Sequence, residues 1–247
     1  MKYVYCLAKD IEAGHNSSAA AVFPPGLSGA EVHYVSFMRI SALMSDVDSG
    51  QLVDNVQNAL AHQEVVDAGL KFSKSIIPCR FGTLFPDDKK ILMLLKEQHA
   101  RLDALLTKLE GKIEVSIQAA FNLAATVAPE ASKVEESEDP LPKGVNYLLK
   151  KKEQFDIIKQ LKEEADRFTQ ELNQVMSPLW SNVKVQKRST SEALLLSLCY
   201  LVGQQELPAF KRAYQGFKSG KPNLKLLYTG PWSPYSFADI DLSTGKG

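Results

Sequence analysis

The sequence predicts an α+β protein of two domains, the second of them ferredoxin-like and closed by an aromatic tail. Three observations predict it. From Lys112 the apolar period switches to two, and the elements that follow read strand, helix, strand, strand, helix, strand (βαββαβ). Before Gly111 the chain reads as three strands, a helix, a strand and a helix (βββαβα), a separate α+β unit. The last apolar stretch, Leu224 to Phe237, begins as a strand and ends in aromatics spaced by prolines and serines. The expected domains are residues 1–110 and 111–247, with an acidic loop over 127–143 and a tail over 230–247. At 247 residues there is chain enough for two such cores.

In the first domain, Tyr3 to Leu7 is β-branched and aromatic, as a strand requires. Lys9 to Ala30 is a loop rich in small residues and broken by Pro24, Pro25 and Gly26. Val32 to Phe37 and Arg39 to Val47 follow as a strand pair. Asp48 and Ser49 give a helix start signal, and Leu52, Val53, Val56, Ala59, Leu60, Gln63 and Val66 share one face at helical spacing, with Gly69 as the stop. Ile76 to Phe85 is a short strand with a turn at Gly82. Pro86, Asp87 and Asp88 open one long helix to Glu110, striped by Ile91, Leu95, Leu102, Leu105 and Leu109, with Leu92 and Leu106 widening it.

In the second domain, Ile113, Val115, Ile117, Ala119 and Phe121 alternate with polar residues along a half-buried strand. Val127 to Lys143 carries three prolines and an acidic run, Glu135 to Asp139, with no apolar period. A helix runs from Val145 to Met176 on a stripe of Ile158, Leu161, Ala165, Phe168, Leu172 and Val175, and Pro178 stops it. Asn182 to Lys187 and Ala193 to Val202 are strands. The second is apolar on both faces and should be central. A helix over Gln204 to Lys218 and the turn at Gly220 lead into the last strand, which should break at Gly230 and Pro231, since proline has no amide hydrogen for a central sheet.

Trp232, Tyr235 and Phe237 carry too much apolar area to leave in water, each on the order of 150–250 Å². Two readings stand side by side: a tail that folds back and plugs the core of its own domain, or an exposed aromatic patch that grips a partner.

Composition excludes several classes of function. Lys plus Arg equal Asp plus Glu, 29 against 29, where a nucleic-acid binder usually shows a basic excess. No stretch approaches the ~18 apolar residues of a membrane span, and the apolar run near Met1 is too short for a signal peptide. A cytosolic setting is expected. Cys6, Cys79 and Cys199 each sit in an apolar run and read as buried free thiols. His62 begins a stretch that superficially matches a zinc helix, but the second histidine is missing, so a solvated or capping role is expected. Phosphate-loop, dinucleotide and nucleophile-elbow motifs are missing, and the central strand lacks the basic, aromatic run of an RNA-binding sheet. No catalytic residue, cofactor site or metal site is assigned. A small-molecule-binding or enzymatic α+β protein is the alternative, suggested only by the hospitality of such folds to sites.

Four stretches stand out as punctuation. They are Pro78, Arg80, Phe81, Gly82 and Thr83, preceded by His62, Glu64 and Val65; Leu109, Gly111, Lys112 and Glu114; Cys199, Tyr200, Leu201 and Val202; and the close Gly230, Pro231, Trp232, Ser233, Pro234, Tyr235, Ser236 and Phe237. In this order and spacing the chain resembles the GvpF/GvpL family of gas vesicle proteins over nearly its whole length. Ser233 stands where the family often has proline, and Val115 where an aromatic is common. Length and the single acidic insert look like the GvpF side of the pair. The resemblance implies a non-enzymatic accessory or minor component of gas vesicles within the cytoplasm. It also implies binding to the small hydrophobic shell protein GvpA and to other gas vesicle proteins, and neither nucleic acid nor a lipid membrane is expected as a partner. Arg80, Phe81, Gly82, Gly230, Pro231, Trp232, Pro234, Tyr235 and Phe237 are the candidate partner-binding or structural residues. Arg80 is expected to pair with a carboxylate such as Glu114.

Overall fold

The computed structural model describes residues 1–11, 23–48, 55–122, 143–190 and 193–239. It divides into two compact units, one of Met1–Glu114 together with Pro231–Gly247, the other of Val115–Gly230. The tail expected to end the second domain is therefore grouped with the first. The chain leaves the first unit once and returns to it once.

In the first unit, strands β1 (Lys2–Lys9), β2 (Val32–Phe37), β3 (Ile40–Asp46) and β4 (Ile76–Pro78) form a sheet in the order β2-β3-β1-β4, and the short β5 (Leu84–Phe85) also pairs with β1. The pairings are antiparallel. Six consecutive residues of β1, Tyr3 to Ala8, are buried, as suits a strand with neighbours on both edges. A bulge between Val4 and Cys6 in its register with β3 adds Tyr5 to the strand. The Tyr5 hydroxyl pairs with Ser45 Oγ at 2.7 Å and accepts the Leu27 amide at 2.9 Å. Gly26 lies so close that a Cβ there would fall 2.0 Å from that hydroxyl.

Helix α1 (Val56–Phe72) starts at Asn55, whose side chain accepts the Asn58 amide. The predicted start at Ser49 and the stripe residues Leu52 and Val53 lie outside the described residues. Val56 and Leu60 are exposed, and the helix instead buries Asn58, His62, Val65, Val66, Ala68 and Gly69. Gly69 is not a stop. It sits inside the helix where a Cβ would come 2.9 Å from Cys6 Sγ, so its bareness lets the helix lie close on β1.

The predicted long helix is two, α2 (Asp88–Glu97) and α3 (His99–Leu109), broken at Gln98. Asp87 caps the first, its side chain accepting the Lys90 amide at 2.9 Å. The break changes the phase of the stripe, so α3 buries Leu102, Leu106 and Leu109, and Leu105 is only half-buried. Gly111 follows with φ +67°, a conformation that favours glycine after a helix.

In the second unit, β6 (Lys112–Asn122), helix α4 (Lys143–Met176), β7 (Asn182–Ser189), β8 (Ala193–Gly203), helix α5 (Leu207–Ser219) and β9 (Lys225–Trp232) follow one another in the predicted order. The sheet runs β7-β8-β6-β9, so β8 is central and β7 and β9 are edges. The first three residues of β6 and the last two of β9 belong to the first unit. Both helices lie against one face. Leu161, Ala165, Phe168, Leu172 and Met176 of α4 and Phe210 and Tyr214 of α5 form one core with Val115, Ile117, Leu196, Leu198 and Tyr200. Met176, not Val175, ends the α4 stripe. The Tyr200 hydroxyl donates to Asn173 Oδ1 at 2.7 Å, which satisfies the one polar atom of that ring. The acidic loop over 127–143 lies outside the described residues, apart from Lys143 at the start of α4. Strand β9 does not break at Pro231 but continues to Trp232. An edge strand tolerates the missing amide hydrogen, and Gly230 takes φ +111° just before it.

Candidate functional site

The segment from Pro78 to Thr83 is held along β1. The Cys79 amide donates to the Tyr5 carbonyl at 2.9 Å, and the Val4 amide to the Thr83 carbonyl at 3.0 Å. Between these anchors the chain turns. The Thr83 amide and hydroxyl both donate to the Arg80 carbonyl, at 3.2 and 2.7 Å. Gly82, third of the four turn residues, has φ +88°, as a type II turn requires at that place. Phe81 is thereby carried over the core, its ring 6.0 Å from Tyr3 and 5.8 Å from His62, both edge-on. Arg80 is exposed, and among the described residues no ion pair reaches it.

His62 is 4% exposed, which overturns the solvated or capping role expected of it. Its hydrogen bonds fix its tautomer. The Gly82 amide donates to the Tyr3 hydroxyl at 3.2 Å, so the hydroxyl proton is directed to His62 Nδ1, 2.8 Å away. Nε2–H then donates to the Cys79 carbonyl at 3.2 Å. Burial favours this neutral ring and lowers its pKa to about 4, against the raising effect of the carbonyl. Burial also pushes the Cys79 thiol up to about 12 and raises the Tyr3 phenol. A thiol held protonated is a poor nucleophile and metal ligand, and both imidazole nitrogens are taken. The cluster is a satisfied polar network inside a core, suited to fixing the turn on β1 rather than to moving protons.

The tail closes over the same place. After Trp232 the chain dips inward at Ser233 and Pro234 and makes one 3-10 turn, Tyr235–Phe237. Ser236 is tied twice to Glu114, its amide to Oε2 and its hydroxyl to Oε1, each at 2.7 Å. Glu114 is 5% exposed, so a charge this deep is held by these short, charge-assisted bonds. The carboxylate that was expected to meet Arg80 is occupied by the tail instead. The Tyr235 hydroxyl donates to Gln63 Oε1 at 3.1 Å, and its ring lies 6.5 Å from His62. Gln63 in turn donates to Asp67 at 2.8 Å. Burial raises the Tyr235 phenol. Phe237 is buried.

The residues of the tail divide by exposure. Pro234, Tyr235 and Phe237 go inward, into the first unit and not the second, while Pro231 is exposed and Trp232 is 44% exposed. The structure brings Phe81 and Gly82 together with His62, Tyr235 and their partners, and leaves Arg80, Pro231 and Trp232 on the outside. Tyr3, Gln63 and Glu114 are the anchoring residues that local sequence patterns missed, although Glu114 closes one of the four stretches.

The family described as gas vesicle synthesis protein GvpL/GvpF matches residues 1–239. The chain belongs to this gas vesicle family. Gas vesicle protein F1 of Halobacterium salinarum is 23% identical over 220 residues, covering 88% of this chain and 86% of its own. The crystal structure of GvpF from Anabaena sp. PCC7120 superimposes with a TM-score of 0.74 at 20% identity, covering 97% of this chain and 96% of that one. GvpF from Microcystis aeruginosa gives 0.73 at 18% identity, with 97% and 99% covered. The α+β fold is therefore that of GvpF, and the protein has a gas vesicle-related role. Members of the GvpL/GvpF family are not known as enzymes, and the groups of this chain with displaced pKa values described above serve its own core.

Proposed function

We propose that this protein is an accessory or minor component of gas vesicles that binds the shell protein GvpA during nucleation and limits its aggregation before assembly. The observation that carries this reading is the family match over residues 1–239. Physical chemistry supports it. A subunit that builds a gas-tight wall must carry apolar surface or free strand edges, and these are sticky before assembly. A partner that covers them transiently needs exposed contact residues on a rigid support. Trp232 offers such a contact: it is exposed, it stands at the end of edge strand β9, and Ser236 and Phe237 anchor the chain just beyond it. In the exposed part of the Arg80 turn, Arg80 offers a second.

The test is dilution of denatured GvpA into buffer with and without this protein, followed by light scattering and affinity capture. Suppressed scattering with GvpA captured on the protein is expected. Unchanged scattering with no capture contradicts the reading.

A further inference from the structure

Among the described residues, every sheet edge but one carries a block against further strand pairing. A free edge presents unpaired amides and carbonyls, and proteins blunt it with charge, proline or brevity. Strand β7 carries Lys184, Lys187 and Arg188, and β9 carries Lys225 and Pro231. Strand β4 is three residues long and ends in Pro78, and β5 has two residues. Strand β2 is the other end of the first sheet, and its six residues, VHYVSF, include no lysine, arginine, carboxylate or proline. Its register with β3 runs unbroken from Val32 opposite Ser45 to Phe37 opposite Ile40, with no bulge to turn the edge away.

The hairpin fixes which groups are free. Phe37 and Ile40 flank a two-residue turn, so they exchange both ladder bonds, as do Val35 with Ala42 and His33 with Met44. The amides and carbonyls of Val32, Tyr34 and Ser36 therefore point away from β3, and among the described residues nothing is bonded to them. Ser36 Oγ meets Ser41 Oγ at 2.8 Å, the close side-chain approach of such a pair. Val32 packs on the α1-side core, so Tyr34 and Ser36 share that face, and His33, Val35 and Phe37 take the other. There α2 packs on β2, and Phe37 meets His99 edge-on at 5.7 Å. A helix with its side chains is roughly 10–12 Å wide and strands lie roughly 4.8 Å apart, so α2 overhangs the place of a strand added beside β2. Leu92 and Met93 of α2 stay exposed.

We propose that the free edge of β2 takes in an extended, uncharged segment of another protein as an added antiparallel strand, with apolar side chains turned under α2 and small polar ones beside Tyr34 and Ser36. The absence of charge on β2 selects the partner. An ionised side chain on the added segment would lose water there with no lysine, arginine or carboxylate of β2 to meet it. A second copy of this chain is a poor occupant. Paired edge to edge, two copies would bring their α2 helices to roughly the 5 Å strand spacing, where packed helices keep roughly 8–10 Å between axes. A lone strand carries no such helix. The proposal rests on the reading that the protein works by binding other proteins, but its test involves neither Trp232 nor the shell protein, so either can fail alone.

The probe is a fluorescein-labelled peptide of alternating valine and threonine, six residues long to match β2, titrated with the full chain by anisotropy. Residues directly opposite share a face, so the threonines fall opposite Val32, Tyr34 and Ser36 and their amides point at β2, while the valine amides point away. Saturable binding is expected, with hydrogen exchange of the Tyr34 and Ser36 amides slowed in the complex. N-methylation of the threonine amides should weaken binding by about tenfold or more, and N-methylation of the valine amides should not. Tyr34→Pro, which removes an outward donor and no bond to β3, should weaken binding similarly with unchanged thermal melting. No binding, equal effects of the two methylations, indifference to Tyr34→Pro, equal binding of a strand peptide of alternating glutamate and lysine, or self-association without peptide that Tyr34→Pro abolishes overturns the proposal.

Discussion

Replacing Glu114 with glutamine leaves the shape of the side chain almost unchanged but turns one acceptor oxygen into an amide that cannot accept. Ser236 presents two donors to this carboxylate, at 2.7 Å each, in a place where Glu114 is only 5% exposed. The amide oxygen can still accept the Ser236 amide and the new Nε2–H can donate to Ser236 Oγ, but neither bond is any longer assisted by charge. Hydrogen bonds to charged groups contribute about 1.5–3 kcal/mol, so Glu114→Gln costs about 2–3 kcal/mol. For a protein of this size that is a fall in Tm of about 4–12 °C. The loss is local first, because Ser236 belongs to a single 3-10 turn after the last strand. Amide exchange at Ser236 should therefore quicken by about 30-fold, the equivalent of ~2 kcal/mol at a tenfold change per 1.4 kcal/mol. Hydrogen–deuterium exchange with mass spectrometry of the C-terminal peptides reads this directly, and the exposed Glu110→Gln serves as a control. Unchanged exchange at Ser236 together with unchanged melting would refute the view that Glu114 latches the tail.

Three further outcomes follow from the same core. His62 titrates near 4 when folded and near 6.5 when free, so the unfolded chain binds its proton first. Stability from this group is full above pH 6.5 and is lost as pH falls toward 4, about 3 kcal/mol in all, and urea midpoints of the wild type should show a fall through that window that His62→Gln lacks. Ser233 Oγ is buried with no partner among the described residues, so Ser233→Ala should raise stability by about 1 kcal/mol in urea unfolding; a loss instead would show a hidden partner. Phe237→Ala should cost about 3–5 kcal/mol by opening a cavity in the first unit, visible as a lowered calorimetric Tm.

Much of the fold was legible because its signals are local. The period-two run of β6, the Asp87 cap and the order of elements after Gly111 need only neighbouring residues, and each appears in the structure. What was not legible depends on distant partners. His62 looks polar and solvated on its own helix. Its burial is decided by Tyr3, 59 positions away, and by the Cys79 carbonyl. The α1 stripe departs from its local pattern for the same reason, since Asn58 and His62 face inward while Val56 and Leu60 stay in water. The tail is visibly too apolar to stay in water, yet its destination rests on a bond between residues 122 positions apart. The Gln98 break left only a phase shift, from Leu105 to Leu106, that the apolar pattern could equally absorb as a wider stripe.

The central claim is that the tail is divided, with Tyr235 and Phe237 completing the core and Trp232 left exposed as the proposed contact residue. The measurement that tests it most directly is GvpA light scattering with the wild type and with Trp232→Ala, each variant first checked by thermal melting. The expected result is a Trp232→Ala protein that melts as the wild type does and no longer suppresses GvpA aggregation. Full suppression by that variant, or a Trp232→Ala protein that fails to fold, would contradict the claim and return Trp232 to a purely structural role.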